Sequence, residues 1–102
     1  MAWVTIDNAS ELDNEESLGF EIDGHKLALH RLDDQFYVSD NICTHQYALL
    51  SEGFLEDGCI ECPLHQAQFC LKTGKAMSAP ATVGIKVYPV REEAGDVQVS
   101  FP

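Results

Sequence analysis

Cys43-Thr44-His45 and Cys62-Pro63-Leu64-His65 decide how this chain reads, with sixteen residues between His45 and Cys62. Two thiols and two imidazoles come in two matched pairs, one Cys and one His in each. Soft sulfur with imidazole selects iron–sulfur, zinc or copper over hard cations. With one or two residues between its members, each pair must sit on a tight loop to reach one metal centre. The segment between the pairs suits that end. Leu50-Ser51-Glu52-Gly53 reads as a turn. Phe54-Leu55-Glu56 and Cys59-Ile60-Glu61 read as short strands, and Asp57-Gly58 between them is a strong two-residue hairpin signal. A hairpin returns the chain to where it left, so His45 and Cys62 are expected to be neighbours in space.

Working outward, strand signals dominate. Trp3-Val4-Thr5-Ile6 opens the chain as a short strand. Asp7 to Ser17 is acidic loop, with one helical turn expected after Ser10. Leu18, Phe20 and Ile22 alternate with polar or small residues, the pattern of a half-buried strand. Asp23-Gly24 turns it into a strand carrying Leu27 and Leu29, and Asp33-Asp34-Gln35 turns that into Phe36-Tyr37-Val38. Beyond His65, Gln68-Phe69-Cys70-Leu71 reads as a strand, and Ala79-Pro80-Ala81 as a third loop. Val83, Ile85 and Val87, then Val97, Val99 and Phe101, read as a closing hairpin about Glu93-Ala94-Gly95-Asp96. No segment keeps a helical period. The expectation is all-β: one domain over 1–102, an antiparallel β-sandwich base with a metal-binding subdomain inserted at about 40–80.

Composition sets the outer bounds. A chain of 102 residues has room for one modest core. Seventeen acidic against six basic side chains give a net charge of -11. That argues against binding to nucleic acid or an anionic membrane, which need basic patches, and it favours solubility and steered encounters with basic protein surfaces. Met1-Ala2-Trp3-Val4 lacks the basic start and apolar run of a secretory signal, and no apolar stretch approaches membrane-spanning length. Four cysteines without a secretory context are expected to be reduced or metal-bound in the cytoplasm.

The paired motif and its flanks resemble the Rieske [2Fe–2S] proteins. Leu50-Ser51-Glu52-Gly53, Glu61-Cys62-Pro63-Leu64-His65-Gln66, Thr73-Gly74-Lys75-Ala76 and Ala79-Pro80-Ala81 are similar to the soluble ferredoxins of bacterial ring-hydroxylating dioxygenases, the naphthalene-dioxygenase type above all. The resemblance implies one Rieske-type [2Fe–2S] cluster, with Cys43 and Cys62 on the buried iron and His45 and His65 on the outer one. It implies a one-electron carrier that is not itself an enzyme. Electrons would come from an NAD(P)H-dependent flavin reductase and pass to the Rieske and mononuclear-iron terminal oxygenase of an aromatic ring-hydroxylating system. Gln46, Tyr47, Gln66 and Pro80 are the expected docking residues. A monomer with no small-molecule substrate of its own is expected. Alternatives are a Rieske subunit of another reductase or oxygenase complex, or a zinc-bound structural module. Against zinc, fingers space their histidines three to five residues apart, commonly on a helix, and that arrangement is absent here.

Mixed ligation has an electronic consequence. Two ferric ions, two sulfides, two thiolates and two neutral imidazoles sum to zero charge, whereas a four-thiolate cluster starts at minus two. Adding an electron to the neutral centre is easier, so Rieske potentials of roughly -150 to +300 mV lie above the approximately -400 mV of plant-type ferredoxins. Within that range this chain is expected near the bottom. Respiratory Rieske proteins carry a disulfide at the positions matching Ala48 and Leu64, and hydroxyl donors at those matching Ala67 and Phe69. Neither device is present. His25 and His30 read as surface residues, and Cys59 and Cys70 as small, buried or half-buried hydrophobes; Cys59-Ile60-Glu61-Cys62 lacks the βαβ setting of a redox Cys-x-x-Cys.

Overall fold

The computed structural model describes residues 2–43, 48–64, 67–77 and 83–101. Among them ten strands form three antiparallel sheets. Strands β1 (Ala2–Thr5), β10 (Asp96–Phe101) and β9 (Val90–Glu93) make one sheet, in that order. Strands β2 (Glu16–Ile22), β3 (His25–Leu32), β4 (Gln35–Asp40) and β8 (Val87–Tyr88) make the second. Strands β5 (Phe54–Glu56), β6 (Cys59–Glu61) and β7 (Gln68–Cys70) make the third.

Turn chemistry sets the hairpins. Both central residues of a type I′ turn need positive φ, which Asp-Gly supplies cheaply. Asp23-Gly24 has φ of 51° and 80°, and Asp57-Gly58 has 51° and 77°. The β3–β4 turn instead places Asp33 and Asp34 at 53° and 61°, with no glycine to relieve the strain. Asn14 compensates from outside. Its amide nitrogen donates to Asp34 Oδ1 at 2.9 Å, and its Oδ1 accepts from Asp34 N–H at 2.8 Å.

Two cores result. Leu27, Leu29 and Val38 of the second sheet meet Val97 and Val99 of the first, together with Ile6, Ala9, Leu12 and Tyr88. The other core joins Leu50, Leu55, Ile60, Phe69 and Leu71 to Cys43, Cys62, Ala48 and Ala67, and reaches Leu32 and Ile85. The second sheet therefore has a core on each face. Odd-numbered Leu27 and Leu29 face the sandwich, while Leu32, in the opposite phase, packs into the core beneath the two Cys-His segments.

That double burial corrects the reading of His30 as a surface residue. Leu27, Ala28, Leu29 and His30 are all fully buried. Strand β3 is backed by β5 and by the 3-10 turn Leu50–Glu52 as well as by the sandwich. His25, at the strand's open end, is exposed as expected. A second correction concerns the closing hairpin. Its first strand is Val90–Glu93, not the run through Val83, Ile85 and Val87. Pro89 lacks an N–H and divides that stretch. Before it, β8 pairs with β4; after it, β9 pairs with β10. The helical turn expected after Ser10 is a 3-10 turn at Ala9–Glu11.

Candidate metal centre

The two motif segments are closed by like hydrogen bonds. In the first, Cys43 N–H bonds the Ala48 carbonyl at 3.0 Å; in the second, Cys62 N–H bonds the Ala67 carbonyl at 2.7 Å. Each closure spans six residues, opens on the motif cysteine and ends on a buried alanine. An isolated bridge between Ile42 and Leu49 extends the first closure, and the β6–β7 pair Glu61–Gln68 extends the second. The hairpin at Asp57-Gly58 sets the β5–β6 register, which fixes the approach to the second loop.

Asn41 braces the first loop, a role not read from the sequence. Its Nδ2 donates to Ser51 Oγ at 3.1 Å, and its Oδ1 accepts from Ser51 N–H at 2.7 Å. Its carbonyl also accepts from Leu50 N–H at 2.7 Å, so one residue ties the loop's entry to its exit. A buried amide needs this full set of partners. Gly19 on β2 leaves room for the brace: a Cβ there would stand 3.0 Å from Asn41 Nδ2. Gly53 has a sharper reason, since a Cβ would collide with the Glu61 carbonyl next to Cys62. The only sequence signal for Asn41 was a polar residue between a strand and a Cys-x-His.

Cys43 and Cys62 are buried in one apolar core, and no disulfide joins Cys43, Cys59, Cys62 or Cys70. Two buried thiols at the heads of matched loops suit the all-sulfur iron of a mixed-ligand cluster, which sits away from water. His45, His65, Gln46, Tyr47, Gln66 and Pro80 lie outside the described residues. The described residues thus include two of the four expected ligands. Ala48, Ala67 and Phe69 are buried and Leu64 is exposed, so two of the hydroxyl-free positions face the same core as the thiols.

The Rieske [2Fe-2S] domain family matches residues 2–89. The chain belongs to that family. Its Rieske relatives include the ferredoxin component of a naphthalene 1,2-dioxygenase system from Pseudomonas aeruginosa, 42% identical over 97% of this chain and 95% of the relative. A 3-phenylpropionate/cinnamic acid dioxygenase ferredoxin subunit from Shigella flexneri is 48% identical over 74% of this chain and 73% of its own. Among solved structures, a complex of reduced oxygenase and oxidised ferredoxin in carbazole 1,9a-dioxygenase contains a chain that superposes with a TM-score of 0.89 at 37% identity, covering 96% of this chain and 92% of that one. This Rieske ferredoxin carries one [2Fe–2S] cluster and moves electrons without turning over a substrate of its own. The cluster, when bound, would supply one reversible electron; the described residues contribute the buried thiols of Cys43 and Cys62, which would hold one side of it.

Proposed function

We propose that this chain is the electron-carrying ferredoxin of an aromatic ring-hydroxylating dioxygenase system. It takes electrons singly from an NAD(P)H-dependent flavin reductase and passes them to the Rieske centre of the terminal oxygenase. The observation that carries this reading is the pair of matched six-residue loops, each opening on a buried cysteine. In the proposed ligation Cys43 and Cys62 hold the inner iron, and His45 and His65 hold the outer one. The whole chain acts as a single domain, with the cluster-binding subdomain at about 40–80, and works as a monomer in the cytoplasm.

The proposed docking face comprises Gln46, Tyr47, Gln66 and Pro80. Exposed apolar side chains along the adjoining segments support it. Leu64 lies within the second loop, and Val83 follows the third. Met77 is exposed too, and its N–H bonds the Gln68 carbonyl at 2.7 Å, directly after the second loop. Apolar side chains around a polar centre give a partner area to bury without fixing a rigid contact, which suits a carrier that must bind and release. The oxygenase–ferredoxin complex of the carbazole system supports an oxygenase as the acceptor.

The test is reconstitution. Purified reductase and oxygenase should oxidise the aromatic substrate with NAD(P)H only when this chain is added, and the rate should saturate with its concentration. An undiminished rate without the chain would overturn the proposal.

A further inference from the structure

Cys59 and Cys70, outside the proposed ligand set, are paired across β6 and β7. The kind of pairing follows from the neighbouring bonds. Leu71 N–H bonds the Gly58 carbonyl at 3.0 Å, and Cys62 N–H bonds the Ala67 carbonyl at 2.7 Å. Bonded and non-bonded pairs alternate along an antiparallel ladder. Gly58/Leu71 and Cys62/Ala67 are bonded pairs, so Ile60/Phe69 is bonded and Cys59/Cys70 is a non-bonded site. Such sites bring Cα atoms to about 4.5 Å with the side chains close on one face. Disulfides accept Cα separations of roughly 4.4–6.8 Å. Ile60 and Phe69 point into the core and are fully buried, whereas both cysteines are half-buried on the opposite face, within reach of small reagents.

We propose that Cys59 and Cys70 form a reversible dithiol–disulfide site, oxidised by low-molecular-weight disulfides, that clamps the second cluster loop. The two thiols are unequal. Hydrogen bonds from Thr73, side chain first and then backbone, draw the Cys70 thiol below its usual range. Burial, then neighbouring Cys70 and Asp57, push Cys59 up. Cys70 is therefore the attacking thiolate. Its sulfur forms a bond to one sulfur of the small disulfide, whose S–S bond breaks and releases one thiolate. Cys59 then loses its proton and attacks the Cys70 sulfur, expelling the second thiolate. The protein loses two electrons and two protons, and the small disulfide becomes two thiols. The new bond staples β6 to β7, the strands that lead into Cys62 and out of Ala67. In a reducing compartment the pair rests as the dithiol. The exchange chemistry stands apart from the cluster assignment; the clamp rests on it.

The test exposes holoprotein to glutathione disulfide while visible absorbance is followed. Denaturing alkylation and peptide mass mapping come next. The expected product links Cys59 to Cys70, weighs two hydrogens less, reverts with a dithiol reductant, and leaves Cys43 and Cys62 open to alkylation. Cys59→Ser should instead hold a stable glutathione adduct on Cys70, and Cys70→Ser should react more slowly. A wild-type chain that stays unmodified, or ends as a stable adduct, would overturn the exchange site. For the clamp, iron loss to a chelator should be slower from the oxidised wild type than from the reduced form. The Cys59→Ser/Cys70→Ser chain should show no such difference. Equal loss from both wild-type forms would overturn the clamp while leaving the exchange site standing.

Discussion

Acid should weaken this fold through His30. The imidazole is fully buried, with Nδ1 2.7 Å from Ser17 Oγ and Nε2 2.8 Å from Ser39 Oγ. Ser39 Oγ donates its own proton to the Asp40 carbonyl at 3.0 Å. It has only acceptor capacity left, so Nε2 carries the imidazole proton and Nδ1 accepts from Ser17. Burial lowers the pKa from 6.5 to about 4. The unfolded chain therefore takes up a proton first. The stability contributed by neutral His30 is complete above pH 6.5 and is lost as pH falls through 6.5 towards 4. That interval, 6.5 minus 4, corresponds to about 3 kcal/mol in full. Some two-thirds of it, about 2 kcal/mol, is already lost at about pH 5. The perturbation is His30→Gln, which keeps a hydrogen-bonding side chain in the site but removes the titration. The assay is urea unfolding of both chains, followed by far-UV circular dichroism, at about pH 7 and about pH 5. Between those values the wild type should lose about 2 kcal/mol more than the variant. Equal losses in the two chains would refute the reasoning, because carboxylate titration is common to both.

Three further outcomes are expected. His65→Ala removes a proposed ligand and should abolish cluster retention, whereas His25→Ala removes contacts with Asp40, Tyr88 and Phe101 at the far end of β3 and should leave the visible spectrum unchanged; analysis of iron and sulfide checks both. With net charge -11, electron transfer to a partner with a basic docking face should slow as salt rises from about 0.1 M to about 1 M and the Debye length shrinks from ~10 to ~3 Å; a flat stopped-flow profile would leave the acidity to solubility alone. Ala67→Ser with Phe69→Tyr adds two hydroxyls at fully buried positions beside the thiols' core. At ~1–2 kcal/mol each, donors that favour the reduced state should raise the potential by roughly 80–170 mV, read by redox titration with cluster content held constant.

The hairpins were legible because Asp23-Gly24 and Asp57-Gly58 state their turn type locally, and the alternation of Leu18, Phe20 and Ile22 states a half-buried strand. The spacing and flanks of Cys43 and Cys62 singled them out as a pair, and the structure buries both in one core. His30 was not, because a polar residue in the outward phase of one hairpin gives no sign that a later segment, Leu50–Glu52 with β5, will cover that face. The division of the last strands was misread for a related reason. Val83, Ile85 and Val87 keep a strand period, but Pro89 sends β8 and β9 to different sheets, and periodicity cannot name a pairing partner. Asn41 and the Cys59–Cys70 pair were hidden similarly: a brace or a cross-strand site exists only once register is known.

The most direct measurement on the central claim is an equilibrium redox titration of the purified chain with iron and sulfide assayed on the same sample. Two irons and two sulfides per chain are expected, with a single one-electron transition and a potential in the lower part of the approximately -150 to +300 mV Rieske range. A colourless zinc-loaded chain, or a potential near the roughly -400 mV of all-thiolate clusters, would contradict that claim.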